Sequence, residues 1–410
     1  MHITEYLAGS VWSRDDIDHF LDPTRPSWAR FDALTGYVPS DIVIRDGVDG
    51  CSTFNSYVDL GPQATVDSRH RPVVRRRVHD PDGPCRLNTY GDSFTQCHQV
   101  SDGETWQEIL TAHLGEPIRN FGVGGYGVYQ AFARMRAIEP TPTGADYVVL
   151  NIFDDDHIRN LDAARWFRLD RFRTTMGSGL AQMLHANPWV HLRLDLDSGA
   201  FVERPNPLPT PDSAYQLADP AYVVETYRAD PVVALDCLGR GVTVDDLVPL
   251  EQLAEALGRP VDLRGGDTAT AANELLVAYG LAATIATLSM VRTFLADRDK
   301  HLLVMLSYSS GTVVDAIEGR PRFDQTIVDD LAVHGDPLVD ALAAHVRDHG
   351  DFALSAEQYC RRYFAGHYTP AGNHFFAFAV KDALVDWLDP RPPAYRSSAA
   401  AVGDPAATLA

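Results

Sequence analysis

The sequence predicts an α/β protein built on a parallel sheet, and three observations support this prediction. From residue 86 onward, short apolar runs suited to strands alternate with stretches of helical periodicity. The run Tyr147–Phe153 is almost entirely apolar, as is typical of a parallel strand that is covered on both faces. A helical segment at 271–297 leads directly into another apolar run at 301–308. Such alternation implies a parallel sheet between layers of helices.

The predicted elements of this core follow one another in regular order. A first strand at 86–90 precedes a helix at 105–114, whose apolar residues recur at helical spacing. A second strand at 118–121 ends in the glycine-rich turn 122–127, and another helix follows that turn. The last predicted helix, at 375–388, completes the core.

Composition and periodicity divide the chain into four regions. Residues 1–85 are rich in Asp, Pro, Ser and Arg and predict an irregular N-terminal extension that packs on the core. The core takes residues 86–160 and 300–389, and an insertion or lid at 161–299, which ends in a core helix, interrupts it. Residues 390–410 contain Pro, Ala, Ser and Gly without periodicity, which predicts a disordered tail.

Charge and hydropathy argue against several classes of protein. The 410 residues include 45% hydrophobic ones, enough for a sizeable core, and the formal net charge of -21 argues against a nucleic-acid partner. The most apolar helical stretch contains Asn273, Glu274, Ser289 and Arg292, which favours a buried helix over a membrane span. We therefore expect a small-molecule substrate, with no nucleic-acid or membrane partner.

The N-terminus and the cysteines favour a cytoplasmic location. No basic cluster followed by an apolar core opens the chain, so no secretory signal is expected. The five cysteines are widely spaced and include no Cys-x-x-Cys pair, which argues against a disulfide framework and a zinc site of the usual spacing.

Polar residues follow the ends of the predicted strands. Ser93 comes directly after the first strand, at the position where open α/β sheets bind their ligands. The turn 122–127 follows the second strand, and its glycines let backbone N–H groups approach a ligand closely. Residues 154–157, Asp-Asp-Asp-His, follow the third strand, Tyr147–Phe153. His367, in the loop before the last helix, is a candidate base for the Ser93 hydroxyl.

These segments resemble, in the same order, the four sequence blocks of the SGNH, or GDSL-type, hydrolase family. Gly91-Asp92-Ser93-Phe94 matches the first block, and residues 120–125 match the second. Residues 154–156 fall in the third block, and Gly-His-x-x-Pro-x-Gly-Asn at 366–373 matches the last. The resemblance covers roughly residues 86–159 and 300–388 and implies a flavodoxin-like three-layer sandwich.

The resemblance also implies roles for individual residues. Ser93 takes the position of the nucleophile and His367 that of the base. The oxyanion hole would include the backbone N–H groups of Ser93 and Gly125. No cofactor and no metal is expected.

The third block departs from the family pattern. Asp155 stands where the family has an asparagine whose amide donates to the oxyanion, and a carboxylate cannot donate unless it is protonated. Three solutions are open: Asp155 is protonated, Asn151 takes its place, or the hole contains only the backbone N–H groups of Ser93 and Gly125.

The last block departs as well. Phe364 and Ala365 occupy the positions where the family has an aspartate that orients the histidine. The triad therefore shrinks to a dyad of Ser93 and His367 unless another acid takes part. We hypothesise that Asp155 or Asp156 supplies it. The alternative is that residues 154–157 cap a turn and pair with Arg159.

The leading hypothesis is a serine-dependent hydrolase of a small acyl ester that forms an acyl-enzyme. One alternative is an O-acyltransferase that uses the same residues, and another is a catalytically altered or inactive binding protein on the same scaffold. The three aspartates and His157 also suggest a hard divalent cation, although consecutive residues seldom converge on one ion. A thiol nucleophile at Cys97 has no family motif to support it.

Overall fold

The structure is a computed structural model that describes residues 1–22, 24, 28–41, 43–48, 51–60, 73–169 and 187–396. It is a mixed α/β chain with a five-stranded parallel sheet flanked by helices, so the predicted class is found. The four predicted core strands, at 86–90, 118–121, 147–153 and 301–308, all correspond to strands of this sheet.

The described elements are numbered in chain order. The strands are β1 (Ala29–Asp32), β2 (Gly36–Pro39), β3 (Val43–Val48), β4 (Cys51–Asp59), β5 (Val73–Arg75), β6 (Leu87–Tyr90), β7 (Arg119–Asn120), β8 (Tyr147–Phe153), β9 (His191–Asp195), β10 (Ala200–Arg204), β11 (His301–Ser307), β12 (Leu338–Asp340), β13 (Phe364–Ala365) and β14 (His367–Tyr368). The helices are α1 (Ile3–Gly9), α2 (Arg14–Leu21), α3 (Ser93–Gln96), α4 (Trp106–Leu114), α5 (Val128–Ile138), α6 (Asp156–Arg159), α7 (Trp166–Leu169), α8 (Pro211–Ala214), α9 (Pro220–Tyr227), α10 (Pro231–Gly239), α11 (Val248–Ala256), α12 (Thr268–Ala296), α13 (Ser310–Ile317), α14 (Gln325–His334), α15 (Ala341–His349), α16 (Ala356–Tyr363) and α17 (Pro370–Trp387).

The order of strands in the main sheet is β7-β6-β8-β11-β12, and every neighbouring pair is parallel. In order of appearance this is 2-1-3-4-5, the order of doubly wound flavodoxin-like sheets. The second strand, β7, lies on one side of β6, and the later strands lie on the other side, beginning with β8. The boundary between β6 and β8 is therefore the topological switch point, and ligands of such sheets bind there, beyond the carboxyl ends of the strands. Edge strand β12 is too short for hydrophobic alternation to reveal it in the sequence.

Helix α12 is the long apolar element of the insertion. Its length and composition would be enough for it to cross a membrane, but 56% of its most apolar window is buried inside the protein. It packs against α10, α6 and α5, and the buried hydroxyl of Thr284 on this helix hydrogen-bonds to His157 and to Asn160. The sequence assigned 271–297 to a buried helix, and the structure places α12 there.

The N-terminal region is more regular than predicted. It contains α1 and α2, the β1–β2 hairpin and the antiparallel sheet β3-β4-β5. These strands pair with one another in antiparallel sheets outside the main sheet. They therefore lack the long apolar runs that are typical of parallel strands covered on both faces. The buried guanidinium of Arg75 binds the carbonyl oxygens of Gln96, at 2.6 Å, and of Cys97 and Val100. This region is thereby attached to the segment that follows Ser93.

The C-terminal segment also differs in part from the prediction of a disordered tail. Residues 390–396 are described and include a 3-10 turn, Pro393–Tyr395, which approaches Gly115 at the end of α4. The carbonyl oxygen of Pro390 accepts a hydrogen bond from Arg86. Residues 397–410 of the predicted tail lie outside the described residues.

Candidate active site

Ser93 is the first residue of α3, directly after the sharp turn that follows β6. Gly91 has a φ of 153°, and a Cβ there would lie 2.2 Å from the Thr95 hydroxyl oxygen and 2.5 Å from the Asn151 carbonyl oxygen. Only glycine fits this position. Asp92 caps α3 by accepting a hydrogen bond from the backbone N–H of Phe94 at 2.8 Å. The turn therefore presents the Ser93 hydroxyl at the switch point of the sheet.

The structure brings the predicted nucleophile and base together. The Oγ atom of Ser93 lies 2.7 Å from Nε2 of His367, 274 residues further along the chain. Oγ is also 3.2 Å from a carboxylate oxygen of Asp92. The shorter contact favours the arrangement in which Ser93 donates to His367, as a base-activated hydroxyl requires.

The backbone of His367 is held in place by Gln99. Its N–H donates to Oε1 of Gln99 at 2.9 Å, from the loop that follows α3. Gly366, with φ of 81°, forms the tight turn of the β13–β14 hairpin, in which Ala365 pairs directly with His367. The histidine is thus fixed from the same segment of chain that carries Ser93.

A buried hydrogen-bond chain supports the hairpin from behind. The hydroxyl of Tyr368 lies 2.9 Å from Nε2 of His345, and Nδ1 of His345 lies 3.0 Å from the hydroxyl of Tyr359. Tyr359 and Tyr363 both donate to one carboxylate oxygen of Asp348. Burial lowers the pKa of His345 to about 3, so this imidazole is neutral and donates through only one of its nitrogens.

The second nitrogen of His367, Nδ1, has no partner in the part of the chain that the structure describes. Nδ1 is enclosed and makes no hydrogen bond with any described residue. Burial, with contributions from His98 and Arg159, lowers the pKa of His367 to about 3. The imidazole is therefore neutral at pH 7, and no carboxylate of the described residues orients it or stabilises its charged form.

The hypothesis that Asp155 or Asp156 supplies the missing acid is wrong in this structure. Asp155 lies 2.9 Å from Nε of Arg159, and Asp156 lies 2.6 Å from Nη1 of the same arginine. Asp156 also accepts from the backbone N–H of Phe153. Neither is a hydrogen-bond partner of His367, so the alternative of a run that pairs with Arg159 is the arrangement found.

Asp155 is also unsuited to donate to an oxyanion. Burial opposes ionisation of its carboxyl, but Arg159, Arg168 and Arg165 outweigh that effect and lower its pKa below the usual range. An ionised carboxylate has no proton to donate. The solution in which Asp155 is protonated is therefore excluded by its own neighbours.

The other two residues of the Asp-Asp-Asp-His run and Asn151 are engaged elsewhere. Asp154 accepts from the Ser309 backbone and the Thr312 hydroxyl, while His157 contacts Thr284 on α12. The members of the run thus face different partners. The amide nitrogen of Asn151 lies 3.1 Å from the Thr95 hydroxyl, so it supports the turn below Ser93 instead of replacing Asp155.

Two backbone donors remain for an oxyanion. The N–H groups of Ser93 and Gly125 donate to none of the residues that the structure describes. Gly125 has φ of 87°, and a Cβ on the preceding glycine, Gly124, would lie 3.5 Å from the Cβ of Ser93. Asn120 joins this loop to the turn by donating to the Thr95 carbonyl at 2.8 Å and accepting from Gly122. The arrangement suits an oxyanion hole with two backbone donors.

Cys97 does not compete as a nucleophile. Its side chain is buried, and burial raises the pKa of the thiol to about 12. The thiolate, which is the reactive form, is therefore negligible at neutral pH.

Sequence reasoning missed three residues that shape this site: Gln99, His345 and Arg165. Gln99 and His345 are isolated polar residues with no motif, so no sequence signal marks them. Arg165 belongs to a visible pattern, because Arg159, Arg165 and Arg168 fall within ten residues directly after the third block.

No protein-family model matches this chain, and a search of the curated proteins finds no match either. Its function therefore has to be inferred from the geometry of the site.

Proposed function

We propose that this protein is a serine-dependent carboxylic-ester hydrolase of the SGNH type. The observation that carries the proposal is the 2.7 Å contact between Oγ of Ser93 and Nε2 of His367 at the switch point of a parallel sheet. The resemblance of the four blocks adds to it. The proposed substrate is a small acyl ester.

In the proposed reaction, His367 removes the Ser93 proton while Oγ attacks the ester carbonyl. The backbone N–H groups of Ser93 and Gly125 stabilise the oxyanion of the tetrahedral intermediate. His367 then returns the proton to the leaving alcohol, and an acyl group stays on Ser93. Water activated by the same histidine releases the acid. Since no carboxylate among the residues described supports the imidazolium, we expect slower turnover than in a full triad.

A fluorophosphonate probe combined with hydrolysis of 4-nitrophenyl acetate tests the proposal. Labelling and nitrophenolate release are expected in the wild type, and both are expected to disappear in Ser93→Ala. His367→Ala should lower kcat by about 1,000-fold or more, because a serine without its base is a weak nucleophile.

The control variants are Cys97→Ala and Ser198→Ala, the latter on the exposed β9–β10 turn. Both should label and hydrolyse like the wild type. Folded wild-type protein that neither labels nor hydrolyses any of a panel of acyl esters would refute the hydrolase and favour a binding protein.

A further inference from the structure

Three arginines surround one carboxylate beside the candidate active site. Asp155 lies 2.9 Å from Arg159, 3.4 Å from Arg165 and 3.4 Å from Arg168. The Asp155 side chain is 35% exposed, whereas the Arg165 and Arg168 side chains are each only 10% exposed. A single negative charge at the surface is thus shared among three largely buried cations.

Two of the three guanidinium groups have further partners of their own. Arg159 also bonds Asp156 at 2.6 Å and the Tyr126 carbonyl at 2.9 Å. Arg168 forms a two-pronged pair with Asp162 at 2.8 and 2.6 Å. These close partners give Arg159 and Arg168 a structural role in the cluster.

Arg165 is different. Its contacts with Asp155 and with the Gly125 carbonyl oxygen are both long, at 3.4 Å, and its Nε is buried without a partner among the described residues. Burial, followed by repulsion from Arg159, lowers the pKa of Arg165 to about 10. A buried cation with so few good hydrogen bonds destabilises the folded state, so a purely structural role does not account for it.

The position of Arg165 relates it to Ser93. Its guanidinium contacts the carbonyl of Gly125, whose N–H is a proposed oxyanion donor, and the neighbouring Gly124 packs against Ser93. The Tyr37 hydroxyl donates to the Gly124 carbonyl at 2.6 Å and holds the loop in place. A planar guanidinium fits a carboxylate through two parallel hydrogen bonds.

We propose that Arg165 binds a carboxylate of the substrate, so that the ester taken by this site carries a free acid group a short chain away from the scissile bond. The inference rests on the proposed hydrolase and narrows its substrate class. The carboxylate would supply the hydrogen bonds that Arg165 lacks in the free protein.

Esters that differ by one charge test the inference. The anionic substrates are the mono-4-nitrophenyl esters of succinate, glutarate and adipate, and each is compared with its methyl-capped, uncharged diester. Wild-type kcat/KM is expected to be higher for at least one anionic ester than for its neutral partner. In Arg165→Gln that preference should fall by about 10- to 100-fold, which corresponds to the loss of a charge-assisted hydrogen bond. The kcat/KM for the neutral ester should change little.

Further variants distinguish a role of Arg165 in substrate binding from a role in the stability of the fold. Arg165→Lys keeps the charge without the planar fork and should retain an intermediate preference. Arg165→Met should be no less stable in urea than the wild type, because an apolar chain of similar length replaces a poorly bonded cation. Arg264→Gln, at a side chain that is 59% exposed, is the charge-matched control and should leave the preference unchanged.

The two proposals can fail separately. Neutral esters hydrolysed in a Ser93-dependent way, without an anionic preference or with one unchanged in Arg165→Gln, would overturn the carboxylate site and leave the hydrolase standing. If no ester is hydrolysed, calorimetric titration with glutarate decides: binding that weakens at least tenfold in Arg165→Gln supports the site, and equal or absent binding overturns it.

Discussion

Ala365 lies directly opposite His367 in the β13–β14 hairpin, so the two side chains share one face of that hairpin. Ala365 is also one of the two positions at which the SGNH pattern has an acid, and Nδ1 of His367 bonds to none of the described residues. The geometry that a triad requires is therefore present on the backbone, while the carboxylate is missing.

Ala365→Asp is accordingly expected to increase activity. The new carboxylate can accept from Nδ1 and stabilise the imidazolium, and we expect kcat to rise by about 10-fold, well below the effect of a native triad acid because nothing else positions the new group. The pKa of His367 should rise as well. Hydrolysis of 4-nitrophenyl acetate as a function of pH measures both. Ala365→Asn, which lacks the charge, is the control, and an equal gain in both variants would contradict an electrostatic role.

The wild-type pH profile follows from the burial of His367. Its pKa is lowered to about 3, so the base is already neutral in weak acid and kcat/KM should stay flat between about pH 5 and pH 8. Activity should decline only as the pH falls toward that pKa. A profile with half-maximal activity near pH 6.5, the ordinary value for histidine, would show that the imidazole is charged more easily than its surroundings indicate.

Tyr368→Phe tests the buried chain behind the hairpin. Without the hydroxyl, Nε2 of His345 loses its partner, and stability should fall by about 1 kcal/mol. We also expect kcat to fall by about 10-fold, because the residue beside His367 is less firmly positioned. Tyr359→Phe removes the hydroxyl on the other side of the same imidazole and is the matched control. If kcat is equal in the two variants, the buried hydrogen-bond chain contributes to stability alone.

Asp155→Asn introduces the amide that the SGNH pattern has at this position but removes the carboxylate shared by three arginines. We expect a loss of about 1 to 2 kcal/mol in the free energy of unfolding at pH 7, less than for a fully buried pair because a third of the side chain is exposed to solvent. Urea unfolding measures the loss.

The pH dependence of that loss has a definite sign. The folded-state pKa of Asp155 is lowered, so its stabilising effect is present above the unfolded-state pKa of about 3.9 and declines as the pH falls below it. The difference between wild type and variant should therefore shrink between pH 5 and pH 3, about the range in which the unfolded carboxylate titrates. A constant difference would indicate that the ion pairs are not its cause.

The sequence alone predicts the class of fold and indicates Ser93 and His367 as the candidate nucleophile and base. Strand and helix periodicities define the parallel sheet, and they place Ser93 beyond the carboxyl end of one of its strands. His367 comes from the separate β13–β14 hairpin before the last helix. The absence of an acid at positions 364 and 365 is equally a local property that can be read from the chain.

The tertiary structure decides which side chains pair with one another. Asp155 and Asp156 bind Arg159 instead of His367, Gln99 holds the backbone of His367 from 268 residues away, and Arg165 contacts the Gly125 loop. Such pairings depend on rotamers and on the approach of distant segments, which hydrophobic periodicity does not encode. The partners of the catalytic pair proposed for this protein are thus set by packing.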